Sequence, residues 1–133
     1  MKKQLFQHLS SIVESTSGVD EALVFDALSD REKLGCTALG SGVAIPHGKV
    51  SGLDQCQLIF CRLSQPVGFE SGEPVQLVFC LMGCESSKNE PVKIISRISR
   101  LVADPAIRFE LMNANSVDEV FNLITSERLQ QAA

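Results

Sequence analysis

The sequence predicts an α/β domain, a layered sandwich in which a small mixed β-sheet is flanked by helices. Three observations lead there. Apolar residues recur at helical spacing near both ends of the chain. Two apolar runs of strand length, residues 57–63 and 75–82, lie between them. The second run is nearly continuously apolar, as a central strand covered on both faces would be. Helices before and after a few strands belong to the layered α/β class.

Each element has its own signal. Over residues 2–14, Leu5, Leu9, Ile12 and Val13 form a helical stripe, and Ser15-Thr16-Ser17-Gly18 breaks it. A second helix over 19–27 carries Val19, Leu23 and Ala27 four apart, with Phe25 and Leu28 beside them. Ser29-Asp30-Arg31-Glu32 has the spacing of a capping box, so one more short turn opens at Ser29 and ends at Gly35. Residues 35–52 hold five of the nine glycines and read as short extended pieces joined by tight turns. The connection 64–74 holds two prolines and two glycines and reads as a loop or hairpin connection. A helix follows over 91–102, opened by Pro91, where the missing N–H costs little. Its buried stripe is Val92, Ile95, Ile98, Ser99 and Val102. Asp104-Pro105 starts a short helix to Met112, and Ser116-Val117-Asp118-Glu119 caps a last one running to about Glu127.

With 133 residues, 44% hydrophobic and 21% charged, the chain fits one globular domain, 1–133. Its net charge is −4, and its 12 basic residues are scattered, which argues against nucleic acid as a partner. No apolar run approaches the ~20 residues needed to span a bilayer, so the protein is not expected to be membrane-embedded. The opening Met-Lys-Lys-Gln-Leu-Phe-Gln-His lacks the apolar core and cleavage site of a secretory signal, and a cytoplasmic location is expected. In that reducing compartment the five cysteines read as small buried thiols.

Chemistry points to one of the two histidines. His8 sits among apolar neighbours on the first helix and reads as structural or merely exposed. His47 stands between Pro46 and Gly48, a turn that would project the ring from the edge of a rigid element. An imidazole with a pKa near ~6.5 is largely neutral at pH 7 and can serve as general base, metal ligand or covalent nucleophile. Cys56/Cys61 and Cys80/Cys84 lack the tight pairing of a structural zinc site, so no metal is expected. A Cys36–His47 pair has only their shared glycine-rich segment behind it. Phosphoryl capture fits better. Glycine-rich turns bring backbone N–H groups to an anion, and Arg31, Thr37, Ser41 and Lys49 are near in sequence. Gly40-Ser41-Gly42 lacks the spacing of a nucleotide-binding loop, which disfavours a kinase.

Residues 31–49 read Arg-Glu-Lys-Leu-Gly-Cys-Thr-Ala-Leu-Gly-Ser-Gly-Val-Ala-Ile-Pro-His-Gly-Lys. This stretch closely resembles the signature of the fructose/mannitol-type (type 2) enzyme IIA of the bacterial phosphotransferase system, most of all its stand-alone nitrogen-regulatory branch. A looser likeness covers the rest, including Pro66-Val67-Gly68-Phe69. The resemblance implies the enzyme IIA type 2 fold. It implies that His47 accepts a phosphoryl group, at the ring nitrogen remote from the backbone, from a histidine-phosphorylated carrier protein. Such a protein is a phosphotransferase component forming a transient phosphohistidine, with no metal or nucleotide cofactor. The resemblance also implies that Arg31 and Thr37 help line the phosphate pocket; Ser41, Gly48, Lys49 and Lys93 are expected there from their place in this sequence. In the nitrogen branch the phosphate is a signal, and the targets are regulatory or transport proteins; in sugar-specific members it passes to an enzyme IIB.

Two departures bear on this reading. Family members usually begin with an extension that includes an edge strand, whereas this chain starts at the first helix; the open sheet edge invites association, a homo-oligomer included. Many members carry a further histidine facing the acceptor, where this chain reads Asn89-Glu90-Pro91-Val92-Lys93. Lys93 supplies a point charge there instead. A binding module of the same fold that takes no phosphate is the competing expectation.

Overall fold

The molecule is a computed structural model, and it describes residues 1–125. In chain order its elements are α1 (Lys2–Ser17), α2 (Glu21–Leu34), β1 (Ala38–Gly40), β2 (Val43–Ala44), β3 (His47–Lys49), β4 (Gln57–Val67), β5 (Val75–Gly83), α3 (Glu90–Val102), α4 (Pro105–Asn113) and α5 (Val117–Ile124). The chain divides into two compact units, Met1–Pro91 and Val92–Ala133.

The first unit holds the sheet. Strand β5 is its centre: β4 pairs with it antiparallel, while β2 and β3 pair with it in parallel. Strand β1 adds an antiparallel row beyond β2. The sheet is therefore mixed, as expected. Val43 faces Leu77, Ala44 faces Val78, His47 faces Leu81 and Lys49 faces Gly83. That constant offset makes β2 and β3 one parallel row. It breaks only at Ile45-Pro46, because proline has no N–H to give the ladder. Even there, the Pro46 carbonyl accepts from the Leu81 N–H at 2.9 Å.

Helices α1 and α2 cover one face. Leu5, Phe6, Leu9 and Val13 of α1 and Val24 and Leu28 of α2 share a core with Val75, Val78, Cys80 and Met82 of β5. The alternate residues Leu77, Phe79 and Leu81 are buried as well. Strand β5 is thus dry on both faces, which explains its unbroken apolar run. Each such side chain stabilises the fold by roughly 1.5–3 kcal/mol.

Three expectations need correction. Helix α1 continues through Ser15, Thr16 and Ser17 to Gly18. The Thr16 and Ser17 hydroxyls donate back to the Ile12 and Val13 carbonyls instead of breaking the helix. Ser29 caps nothing: α2 runs unbroken, and Asp20 caps it by accepting from the Ala22 N–H. The stripe shifts by one residue to Val24, Leu28 and Glu32, leaving Leu23 exposed. Strand β4 reaches Val67, and Pro66 falls where its ladder with β5 is irregular, so the proline displaces no regular bond.

The second unit holds α4, α5 and all but the start of α3. Pro91 lies in the first turn of α3; Ile98, Leu101 and Val102 are buried, whereas Val92, in that first turn, is exposed. Asp104 caps α4 through the Ala106 N–H, and Ser116 caps α5 through the Glu119 N–H. Glu119 answers to the Asn115 N–H, one residue before the cap. The expected end of this helix at Glu127 lies outside the described residues. No helix among the described residues is long and apolar enough to cross a membrane.

Candidate functional site

His47 begins β3, half-buried, on the parallel row beside β5. Its Nδ1 lies 2.9 Å from the Ile45 carbonyl oxygen. A carbonyl only accepts, so Nδ1 carries the proton. On the other side of the ring, Arg31 donates its Nε–H to Nε2 at 3.1 Å. A guanidinium only donates, so Nε2 holds a lone pair. The two contacts fix one neutral tautomer, with the ring nitrogen remote from the backbone as its nucleophilic atom.

Arg31 is itself held. Its Nη1–H donates to the Gly35 carbonyl at 2.8 Å, just past the end of α2. A helix C-terminus carries partial negative charge and by itself repels an anion. Arg31 offsets that end and places a planar cation at the Nε2 edge of the imidazole.

Gly48 explains how α2 comes close enough. A Cβ at Gly48 would meet the Ala27 backbone and Cβ at 3.2 Å. Ala27 lies one turn before Arg31 on α2, so the bare glycine sets the distance from which Arg31 reaches the ring. The expected reasons were freedom to turn and removal of bulk beside the ring; the structure adds a close approach of helix and strand.

The other expected site residues fall in different places. Lys49 alternates with Gly48, which puts it on the His47 face of β3; it is exposed, and its stem runs near Gly83. Thr37 is buried, and its hydroxyl donates to Glu32 Oε1 at 2.6 Å, so its one proton is already committed. Ser41 is the exposed tip of the β1–β2 turn, in left-handed backbone (φ 55) between Gly40 (φ 93) and Gly42 (φ 77). Val43 and His47 are four residues apart on the row along β5, about 13 Å at ~3.3 Å per residue, and that tip lies in the turn before Val43. Lys93 lies on α3 in the second unit and is exposed. The structure thus brings together His47, Arg31, Gly48 and Lys49, but not Ser41.

Glu32 and the carbonyls of Gly35 and Ile45 belong to the site and were not expected there. Glu32 was absorbed by the apparent capping box. The signal that finds it is its place four residues after Leu28 and eight after Val24, a carboxylate on a buried stripe.

All five cysteines are free; Cys80 and Cys84 are buried, while Cys36, Cys56 and Cys61 are half-buried. Burial pushes the Cys80 thiol up to about 12. For Cys36, burial pushes upward too. The side chain and backbone of Ser71 and the backbone of Ala38 outweigh it through hydrogen bonds and leave the thiol below its ordinary value.

A mixed sheet thus presents a histidine held between a backbone carbonyl and an arginine. The family "Phosphoenolpyruvate-dependent sugar phosphotransferase system, EIIA 2" matches residues 1–127, and the chain belongs to it. A nitrogen regulatory protein of Bradyrhizobium diazoefficiens is 40% identical over 125 residues, covering 92% of this chain and 82% of that protein. The crystal structure of nitrogen regulatory protein IIA-Ntr from Neisseria meningitidis superposes with a TM-score of 0.89 at 39% identity, covering 94% of this chain and 87% of that one. Enzyme IIA-mannitol, solved in complex with phosphorylated enzyme IIB-mannitol from Escherichia coli, gives a TM-score of 0.75 at 27% identity, covering 93% and 87%.

Proposed function

We propose that this chain is a phosphocarrier and regulator of the nitrogen-related phosphotransferase system, acting in the cytoplasm as one enzyme IIA domain. A histidine-phosphorylated carrier protein is its donor, and regulatory or transport proteins are its targets. The observation that carries this reading is the single neutral tautomer of His47, with its Nε2 lone pair facing a guanidinium.

The step follows from that geometry. Arg31 moves off Nε2, and the lone pair attacks phosphorus. The nitrogen–phosphorus bond of the donor breaks, and its electron pair returns to the donor ring. The His47 ring keeps its Nδ1 proton and takes up positive charge, which the Ile45 carbonyl oxygen faces. Arg31 and Lys49 meet the incoming dianion. A surface that gains about two negative charges then binds different partners.

The stronger likeness to nitrogen regulatory proteins favours signalling over delivery to an enzyme IIB. Incubation with phosphorylated carrier protein should raise the mass by one phosphoryl group in the native chain and not in His47→Ala. Label persisting in that variant would move the site elsewhere. An unlabelled native chain that still binds a target would favour a non-phosphorylated binding module.

A further inference from the structure

Six residues around the acceptor form a closed hydrogen-bonded circuit. Thr37 donates its backbone N–H to Glu32 Oε2 at 3.1 Å and its hydroxyl to Glu32 Oε1 at 2.6 Å. The Thr37 carbonyl accepts from the Ile45 N–H at 3.0 Å. The Ile45 carbonyl accepts from His47 Nδ1, and His47 Nε2 accepts from Arg31. Arg31 reaches the Gly35 carbonyl, and the Gly35 N–H closes the circuit on the Glu32 carbonyl at 3.2 Å. Arg31 and Glu32 are adjacent in sequence, so one end of α2 grips the acceptor loop from both sides.

We propose that Glu32 is a positioning residue for His47, fixing the tautomer that exposes the Nε2 lone pair by anchoring the Thr37–Ile45 link. A buried carboxylate is costly unless it is paired and hydrogen-bonded. Glu32 is 4% exposed, and its partners are the two Thr37 donors and the Lys2 ammonium at 3.5 Å. Helix solubility does not explain such a charge on a buried stripe; holding two donors from one loop residue does. The Ile45 peptide is the point that matters. Its N–H is held through Thr37, and its carbonyl holds the Nδ1 proton. Without Glu32 the Thr37 backbone is free to shift, the Ile45 carbonyl follows, and the ring samples the other tautomer, in which Nε2 carries the proton and cannot attack. The circuit also brings no uncompensated negative charge to the phosphoryl group, because the Lys2 ammonium pairs with the Glu32 carboxylate at 3.5 Å.

The inference rests on the phosphocarrier reading for its rate consequence but not for its structural one, and the test separates them. The full chain and its Glu32→Gln, Glu32→Ala, Thr37→Val and Thr37→Ser variants are compared. Imidazole nitrogen chemical shifts report the His47 tautomer, circular dichroism reports folding, and single-turnover labelling by phosphorylated carrier protein reports the rate. Folded Glu32→Ala and Thr37→Val should show mixed tautomers and a rate lower on the order of 10- to 100-fold. Thr37→Ser, which keeps both donors, should retain the single tautomer. If Glu32→Ala does not fold, the isosteric Glu32→Gln and Thr37→Val decide by the same readouts. Folded variants with the native tautomer and rate would overturn the proposal. If the native chain takes no label while the tautomer still shifts, the phosphocarrier reading fails and the positioning role stands.

Discussion

The Nε–H of Arg31 points into the Nε2 lone pair of His47 at 3.1 Å, so the cation expected to steady a phosphoryl group covers the atom expected to receive it. The same guanidinium also holds the Gly35 carbonyl. Displacing it from Nε2 need not release it from the loop, and it can swing a short way to meet phosphoryl oxygens.

Replacing Arg31 therefore has two opposed effects. Arg31→Ala uncovers the lone pair but removes the charge that offsets the dianion, and the second effect should win, because preorganised donors at developing charge are worth on the order of 10²-fold in rate. Arg31→Lys keeps the charge without the planar fork and should fall between the two. Single-turnover labelling by phosphorylated carrier protein checks this order; a faster Arg31→Ala would show that covering the ring is the dominant role of the arginine.

Gly48→Ala tests the close approach of α2. The added methyl would sit 3.2 Å from the backbone and Cβ of Ala27, tighter than ordinary packing, and the helix backbone has little room to give. Overpacking of this kind costs about 1–3 kcal/mol. Because Ala27 and Arg31 share a face of α2, the variant should lose both stability in urea and labelling rate. Native stability in Gly48→Ala would mean that α2 yields easily at Ala27.

How much of this was legible in the sequence depends on the range of the interactions. The central strand could be read from Val75 to Met82 because burial on both faces leaves an unbroken apolar run. His47 and Arg31 could be found because an unusual local pattern marks them. Glu32 could not be assigned, because its partner Thr37 lies past the helix end and because Ser29 made a local capping box plausible. The helix won over that cap because Val24, Leu28 and Glu32 bury a common stripe, a tertiary gain larger than the ~1 kcal/mol of one cap. Ser41 looked close because it is six residues from His47, but Val43 to His47 run as one row along β5 and Ser41 sits in the turn before it. The pairing of both Val43 and His47 along β5, which sets that distance, has no sequence signal of its own.

The thiols should separate by reactivity. Cys36 is half-buried with its thiol below the ordinary value, whereas Cys80 is fully buried with its thiol pushed up to about 12. The thiolate is the reacting form, so limited iodoacetamide at pH 8 should modify Cys36 first and Cys80 only after denaturation. Peptide mass spectrometry gives the order; early labelling of Cys80 would show that β5 opens readily.

Cys80 also sets a pH dependence whose sign can be worked out. Its folded value of about 12 lies above the ordinary thiol value of 9.0 that it regains on unfolding. Between those values the folded chain keeps a proton that the unfolded chain has lost, so stability falls as pH rises. The contribution is complete below about pH 9, since both states are then protonated. Above that it is lost at up to ~1.4 kcal/mol per pH unit. Urea denaturation of the reduced protein at pH 8 and pH 10 should show this decline. Cys61, also raised by burial, adds to the total, so the slope is compared with that of Cys80→Ala. The variant should decline less steeply by up to one proton's worth, whatever its stability at pH 8. Equal slopes would mean that the Cys80 thiol ionises as readily inside the sheet as in the unfolded chain.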